Sequence, residues 1–149
     1  VFDFRVYGRP APQGSKKFVG NGRFIEASKY LKPWREAISK AIFARISELG
    51  EVVKFTEPVI VSATFIIPKP ESVKGRLWPS KMPDLDKLQR ALGDALETDT
   101  GLLESDSLIV RWEASKVYTT PSEALGGVLV SIRVASEDDL AKITQLFQK

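Results

Sequence analysis

Neither cysteine nor histidine occurs among the 149 residues. Without cysteine there is no disulfide framework, which fits a reducing compartment and sets the expectation of a cytoplasmic protein. Together the two absences remove the usual ligands of zinc and haem. They also make Ser-His-Asp and Cys-His nucleophile systems impossible. Chemistry is left to carboxylates, lysines, hydroxyls or a metal held by oxygen, which favours magnesium, with manganese as a substitute. No apolar run approaches the roughly 20 residues of a membrane-spanning helix, so no membrane partner is expected. Residues 1–8 alternate and then break at Arg9-Pro10, so no signal peptide is expected either.

What is present suits one compact domain over residues 1–149, with an ordinary apolar fraction of 43%. The net charge is +3. Basic residues crowd residues 1–54 and 69–90, whereas acids cluster at residues 94–106 and 137–139. A basic surface around an acidic centre is a layout of metal-dependent nucleic-acid enzymes, and equally of a plain mixed surface.

Alternation of Phe2, Phe4 and Val6 predicts a strand over 2–7. The loop from Arg9 to Gly22 is rich in Pro, Gly and Lys, an extended arm or an irregular hairpin near phosphates; its spacing is wrong for a Walker A loop. Ser28 is placed to cap a helix over 29–49, with Pro33 in its first turn and Leu31, Trp34, Ile38, Ile42 and Ile46 on one face. Lys32, Arg35, Lys40 and Arg45 fall on the other, a solvated or phosphate-tracking face. The β-branched run 58–68 reads as a central strand. A basic loop with several prolines, 69–83, precedes a helix over 85–97. Strands follow over 108–118 and 128–134. Ser136 with Asp139 forms a capping box opening a last helix, a C-terminal extension over 136–149 with Leu140, Ile143, Leu146 and Phe147 apolar.

The most informative stretch is Pro83-Asp84-Leu85-Asp86-Lys87-Leu88-Gln89-Arg90, followed by Glu104-Ser105-Asp106. Two carboxylates at a loop-to-helix junction can point to one side, where free N–H groups favour anions. Asp106 completes an oxygen-ligand set if its strand runs beside that helix start. Lys81, Lys87 or Arg90 would then neutralise a phosphate. The bland alternatives are a helix cap at Asp84, a first-turn acid at Asp86 and a turn residue at Asp106. Asp94 stands mid-helix with no local reason to be Asp, unless it pairs with Arg90.

Residues 84–96 and 101–110 together resemble the signature of the RusA family of Holliday-junction resolvases, and the likeness extends over about residues 2–134. The resemblance implies an α+β single small domain, a mixed β-sheet of about four strands packed against two or three helices. It implies a homodimer that binds branched DNA, a four-way junction, and cuts two strands symmetrically with Mg2+. It maps metal and catalytic carboxylates onto Asp84, Asp86 and Asp106, and a catalytic basic residue onto Arg90. DNA contacts are expected from Arg9, Lys16, Lys17 and Arg23, from Lys69, Lys74, Arg76 and Lys81, and from Lys87. Three positions depart from the pattern: Lys87 stands for Asn, Arg90 for Lys, and Ser105 for the first Asp of an Asp-Asp pair. Such families are often carried by phages and prophages, a source compatible with this chain. Two other functions remain open: a weakly catalytic or non-catalytic accessory protein for branched DNA, and a phosphohydrolase of small substrates.

Overall fold

Strands with apolar residues at every second position bury one face and pair edge to edge, and a computed structural model shows how these do so. It describes residues 1–14, 16–20, 23–26, 29–121 and 125–148; for 16–19 and 23–26 only the backbone is described. Strand β1 (Phe2–Tyr7) is followed by a hairpin of β2 (Lys16–Gly20) and β3 (Arg23–Glu26), then helix α1 (Leu31–Leu49) and strand β4 (Val59–Ile67). Helix α2 (Leu85–Asp94), strands β5 (Ile109–Tyr118) and β6 (Gly127–Val134), and helix α3 (Glu137–Thr144) complete the order. The main sheet runs β1-β6-β4-β5, with β4 and β5 parallel and the other pairs antiparallel. This is the expected α+β domain with a mixed four-stranded sheet. Of the two forms open to residues 9–22, the hairpin is the one seen.

One sheet face carries Phe2, Phe4 and Val6 of β1, Val128, Val130 and Ile132 of β6, and Val59, Val61, Ala63 and Phe65 of β4. Trp34, Ile38 and Ile42 of α1 and Leu88, Ala91 and Leu92 of α2 close over it. Each large side chain buried this way contributes about 1.5–3 kcal/mol, so these two helices hold the domain together. Helix α1 begins behind Tyr30, which makes no side-chain cap, and ends at Gly50 in the left-handed region. Ser28, the expected cap, lies outside the described residues.

A parallel pair needs a crossover, and here it is β4-α2-β5. The carboxylate motif is built into that crossover. Helix α2 does not stop at Asp94 but continues as a π-helical turn over Ala95–Asp99. The Thr100 hydroxyl then donates to the carbonyls of Ala95 and Leu96, at 2.8 and 3.2 Å, and closes the helix.

The apolar face expected of the last helix does not pack on the domain. Leu140, Ile143, Leu146 and Phe147 are all exposed. Helix α3 is held instead through its N-terminus, where Ser136 and Asp139 cap each other and Asp139 takes a two-pronged bond from Arg133 at 2.7 and 2.9 Å. Trp78 and Phe43, apolar residues for which burial in the core is the simpler expectation, are exposed as well.

Candidate active site

The approach to α2 is fixed by a lysine in an unusual place. Lys116 lies on β5 opposite Phe65, at a position whose parity points to the core side of the sheet. Its ammonium donates to the carbonyl oxygens of Lys81, at 2.9 Å, and Pro83, at 2.8 Å. A cation satisfied by two backbone oxygens clamps the end of the 69–83 loop onto the strand. Asp84 follows directly, in extended backbone at the N-cap of α2. Its side chain makes no capping hydrogen bond. It faces the Lys87 ammonium at 3.6 Å instead. Capping therefore does not account for an acid at 84, and Lys87 supplies its counter-charge.

One turn along, α2 and the start of β5 enclose a cleft of about 240 Å³ lined by Asp86, Gln89, Arg90, Gly93, Asp94, Asp106, Ile109 and Trp112. A larger groove, of about 720 Å³ between α1 and the β1 side of the sheet, shares no residue with it. The smaller cleft is where the candidate chemistry lies, because it gathers Asp86 and Asp106, two of the motif carboxylates, beside Arg90. Asp106 opens a short 3-10 turn, Asp106–Leu108, capped by the Ser105 hydroxyl, which accepts from the Ser107 N–H at 3.2 Å. Ser105 thus does the capping, and the Asp106 carboxylate is left exposed towards the cleft.

Arg90 lies against a glycine distant in sequence. A Cβ on Gly14 would meet the Arg90 guanidinium, the far end of a side chain able to move aside, and Gly14 has φ +95°, in the left-handed region. The backbone conformation is what favours glycine here. The loop is further tied to α2 by Gln13, whose N–H donates to the Lys87 carbonyl at 3.1 Å and whose amide donates to Asp94.

Asp94 owes its place to these tertiary partners and not to Arg90. Besides Gln13 it faces Arg35 of α1 at 3.8 Å. Arg35 in turn makes a two-pronged bond to Asp99, at 2.8 and 2.7 Å. The hydrogen bond that Arg35 donates to Asp99 raises the Arg35 pKa; partial burial opposes this, and the Asp99 and Asp94 charges add to it. This Gln13-Asp94-Arg35-Asp99 network joins the loop, α1 and the end of α2. Arg35 therefore serves the fold, whereas Lys32 and Lys40 on the same helix stay exposed.

The structure brings Asp86, Arg90 and Asp106 into one cleft and leaves Asp84 just outside its lining. Among the described residues no three acidic side chains come together as a ready metal-holding group. The donor type fits a hard, oxygen-liganded cation. The fit in geometry is Asp86 and Asp106 in the cleft, with Asp94 there bonded to Gln13, and Asp84 two residues from Asp86 and turned to Lys87.

The expected DNA-contacting residues divide. Arg9 stacks on the Tyr30 ring at 3.9 Å, Lys69 stands 5.8 Å from the Tyr118 ring, and Arg76 donates to the Tyr118 hydroxyl at 3.3 Å. Arg9, Tyr30, Lys69, Met82 and Pro83 share a second cleft, of about 480 Å³, so both basic loops meet beside Asp84. Lys74 and Lys81 are exposed on the second loop. The side chains of Lys16, Lys17 and Arg23 lie outside the described residues. Sequence reasoning missed Gln13, Gly14 and the clamp by Lys116. Only the last left a signal, a lysine at a core-parity strand position.

The family model described as endodeoxyribonuclease RusA matches residues 7–133. No curated protein gives a significant match.

Proposed function

Because the chain belongs to the RusA family of endodeoxyribonucleases, we propose that it resolves four-way DNA junctions by paired, magnesium-dependent phosphodiester hydrolysis. The observation that carries this reading is the cleft in the β4-α2-β5 crossover, where Asp86, Arg90 and Asp106 face one another within the family-matching segment.

When bound, magnesium would supply an activated water and stabilise the leaving oxygen. Asp86 and Asp106 would hold it, joined by Asp84. Arg90 presents a planar fork of donors, so it binds and orients a phosphate. Lys87 holds Asp84 until a stronger cation competes. The basic loops, meeting beside Asp84, bind the backbone on either side of the scissile bond.

The test uses labelled four-way junction and matched linear duplex, each with and without magnesium. Wild-type protein is expected to cut the junction in magnesium only. Asp84→Asn, Asp86→Asn and Asp106→Asn are each expected to lower cleavage by orders of magnitude while junction binding persists or tightens, since a negative charge near phosphate is lost. Binding without cleavage by the wild type would assign the chain to an accessory role on branched DNA.

A further inference from the structure

The loop between β4 and α2 exposes three large apolar side chains. Leu77 is 86% exposed, Trp78 64% and Met82 79%. Solvent exposure of a tryptophan beside a leucine is costly. The loop is also held firmly beneath these side chains. Pro79 is buried against it, the Ser80 N–H donates to the Trp78 carbonyl at 2.8 Å, and Arg76 donates to the Tyr118 hydroxyl. Lys116 clamps its end at Lys81 and Pro83. The apolar pair is therefore displayed from a braced support. Lys74, Arg76 and Lys81 flank it along the chain, and two residues after Lys81 the chain reaches Pro83 and the site carboxylates.

We propose that Leu77 and Trp78 form a wedge that enters the branch point of the DNA and unstacks the bases there. This rests on the junction reading above and adds how the site tells a junction from a duplex. Apolar side chains flanked by cations match a base step flanked by phosphates; the same cations would be left unpaired against an apolar protein face. A wedge costs least where stacking is already interrupted, as it is at a crossover. The wedge lies on the loop that leads directly into Asp84, so it places the strand beside the branch point against the carboxylates.

The experiment uses the full-length Asp86→Asn protein with magnesium and a junction carrying thymines at the crossover, probed with permanganate, which attacks unstacked thymine. The same protein with Leu77→Ser and Trp78→Ser added, and with Trp78→Phe alone, is compared. Branch thymines are expected to become reactive with the parent and with Trp78→Phe, and to return to the level of free junction with the double change. A gel shift run alongside should show that the double variant still binds, with its preference for junction over duplex narrowed. Thymine reactivity unchanged by the double change overturns the wedge while leaving the junction reading intact. A fall in molar mass on the double change assigns Leu77 and Trp78 to a subunit contact and likewise overturns it. Failure of the parent to bind junction overturns both.

Discussion

Arg90 and Gly14 lie against each other, although only one of them carries functional groups. A methyl group at residue 14 would have to displace the guanidinium, and the left-handed backbone there penalises any side chain. Gly14→Ala is expected to slow junction cleavage and to cost about 1 kcal/mol of stability. Arg90→Ala is expected to slow cleavage more, with little change in stability because the side chain is exposed. Combined, the two changes should reduce the cleavage rate no further than Arg90→Ala alone, as a double-mutant cycle would show. Additive losses would separate the glycine from the arginine. The place of Arg90 beside Asp86 was legible in the motif, because it follows from spacing along one helix. Gly14 was not legible, because it meets a side chain from another element. Asp94 shows the same limit: a poor helix former marked it as unusual, but Gln13 and Arg35 come from a loop and a helix that no local pattern links to it.

At the scale of elements, what could be read was what neighbours within a few residues decide. The alternation of β1, the apolar stripe of α2 and the Ser136-Asp139 capping box each depend on such spacings, and each is present. The start of α1 depended on Ser28 and shifted. The fate of the apolar stripe on α3 depended on where the helix comes to rest, which its own sequence does not encode. That helix hangs on one ion pair and one cap. The hydrogen bond from Arg133 is the main reason the Asp139 carboxyl sits well below the usual carboxylate range, followed by those from the Ser136 N–H and hydroxyl. Glu113 adds its charge to Asp139 around Arg133. A carboxylate with a depressed pKa in the folded state contributes stability above its unfolded value of about 3.9, and loses it as pH falls from there towards the folded value. The protection of the α3 amides relative to their intrinsic exchange rate at each pH is therefore expected to be constant near neutral pH and to fall below about pH 4. Asp139→Asn should show the lowered protection already at neutral pH. Replacing Leu140 and Phe147 by Ser should leave the thermal midpoint of the isolated chain within the small range typical of surface changes, since neither is buried.

For the whole molecule, the basic loops, the acidic cleft and the geometry of the substrate point to one assembly. A four-way junction has two-fold related strands, and a C2 dimer has two equivalent sites. Among the described residues one chain carries one cleft with Asp86 and Asp106, so a single chain is expected to make a single cut. A junction nicked once can be religated unchanged, whereas two cuts at symmetry-related positions resolve it. The expectation is a homodimer with both acidic clefts on the face that receives DNA. Exposed apolar residues away from the site, Phe43 on α1 and Leu129 on β6, offer surface for the contact between copies. Light scattering at micromolar concentration should give about twice the 16.6 kDa of the chain. Binding to junction should weaken steeply between about 50 and 200 mM salt, and neutralising Lys74 and Lys81 together should flatten the slope of log affinity against log salt by about two. An unchanged slope would remove that loop from the DNA contact. The decisive readout is a supercoiled plasmid that extrudes a cruciform. Paired cutting within one bound complex converts it straight to linear product, because both strands are cut before the protein leaves. A monomer that dissociates after one cut relaxes the plasmid, the cruciform is reabsorbed, and nicked circles persist. Linear product appearing without a nicked intermediate supports a dimer acting at both sites at once. Lasting nicked circles together with a monomeric mass on junction would reduce the activity to that of a nicking nuclease.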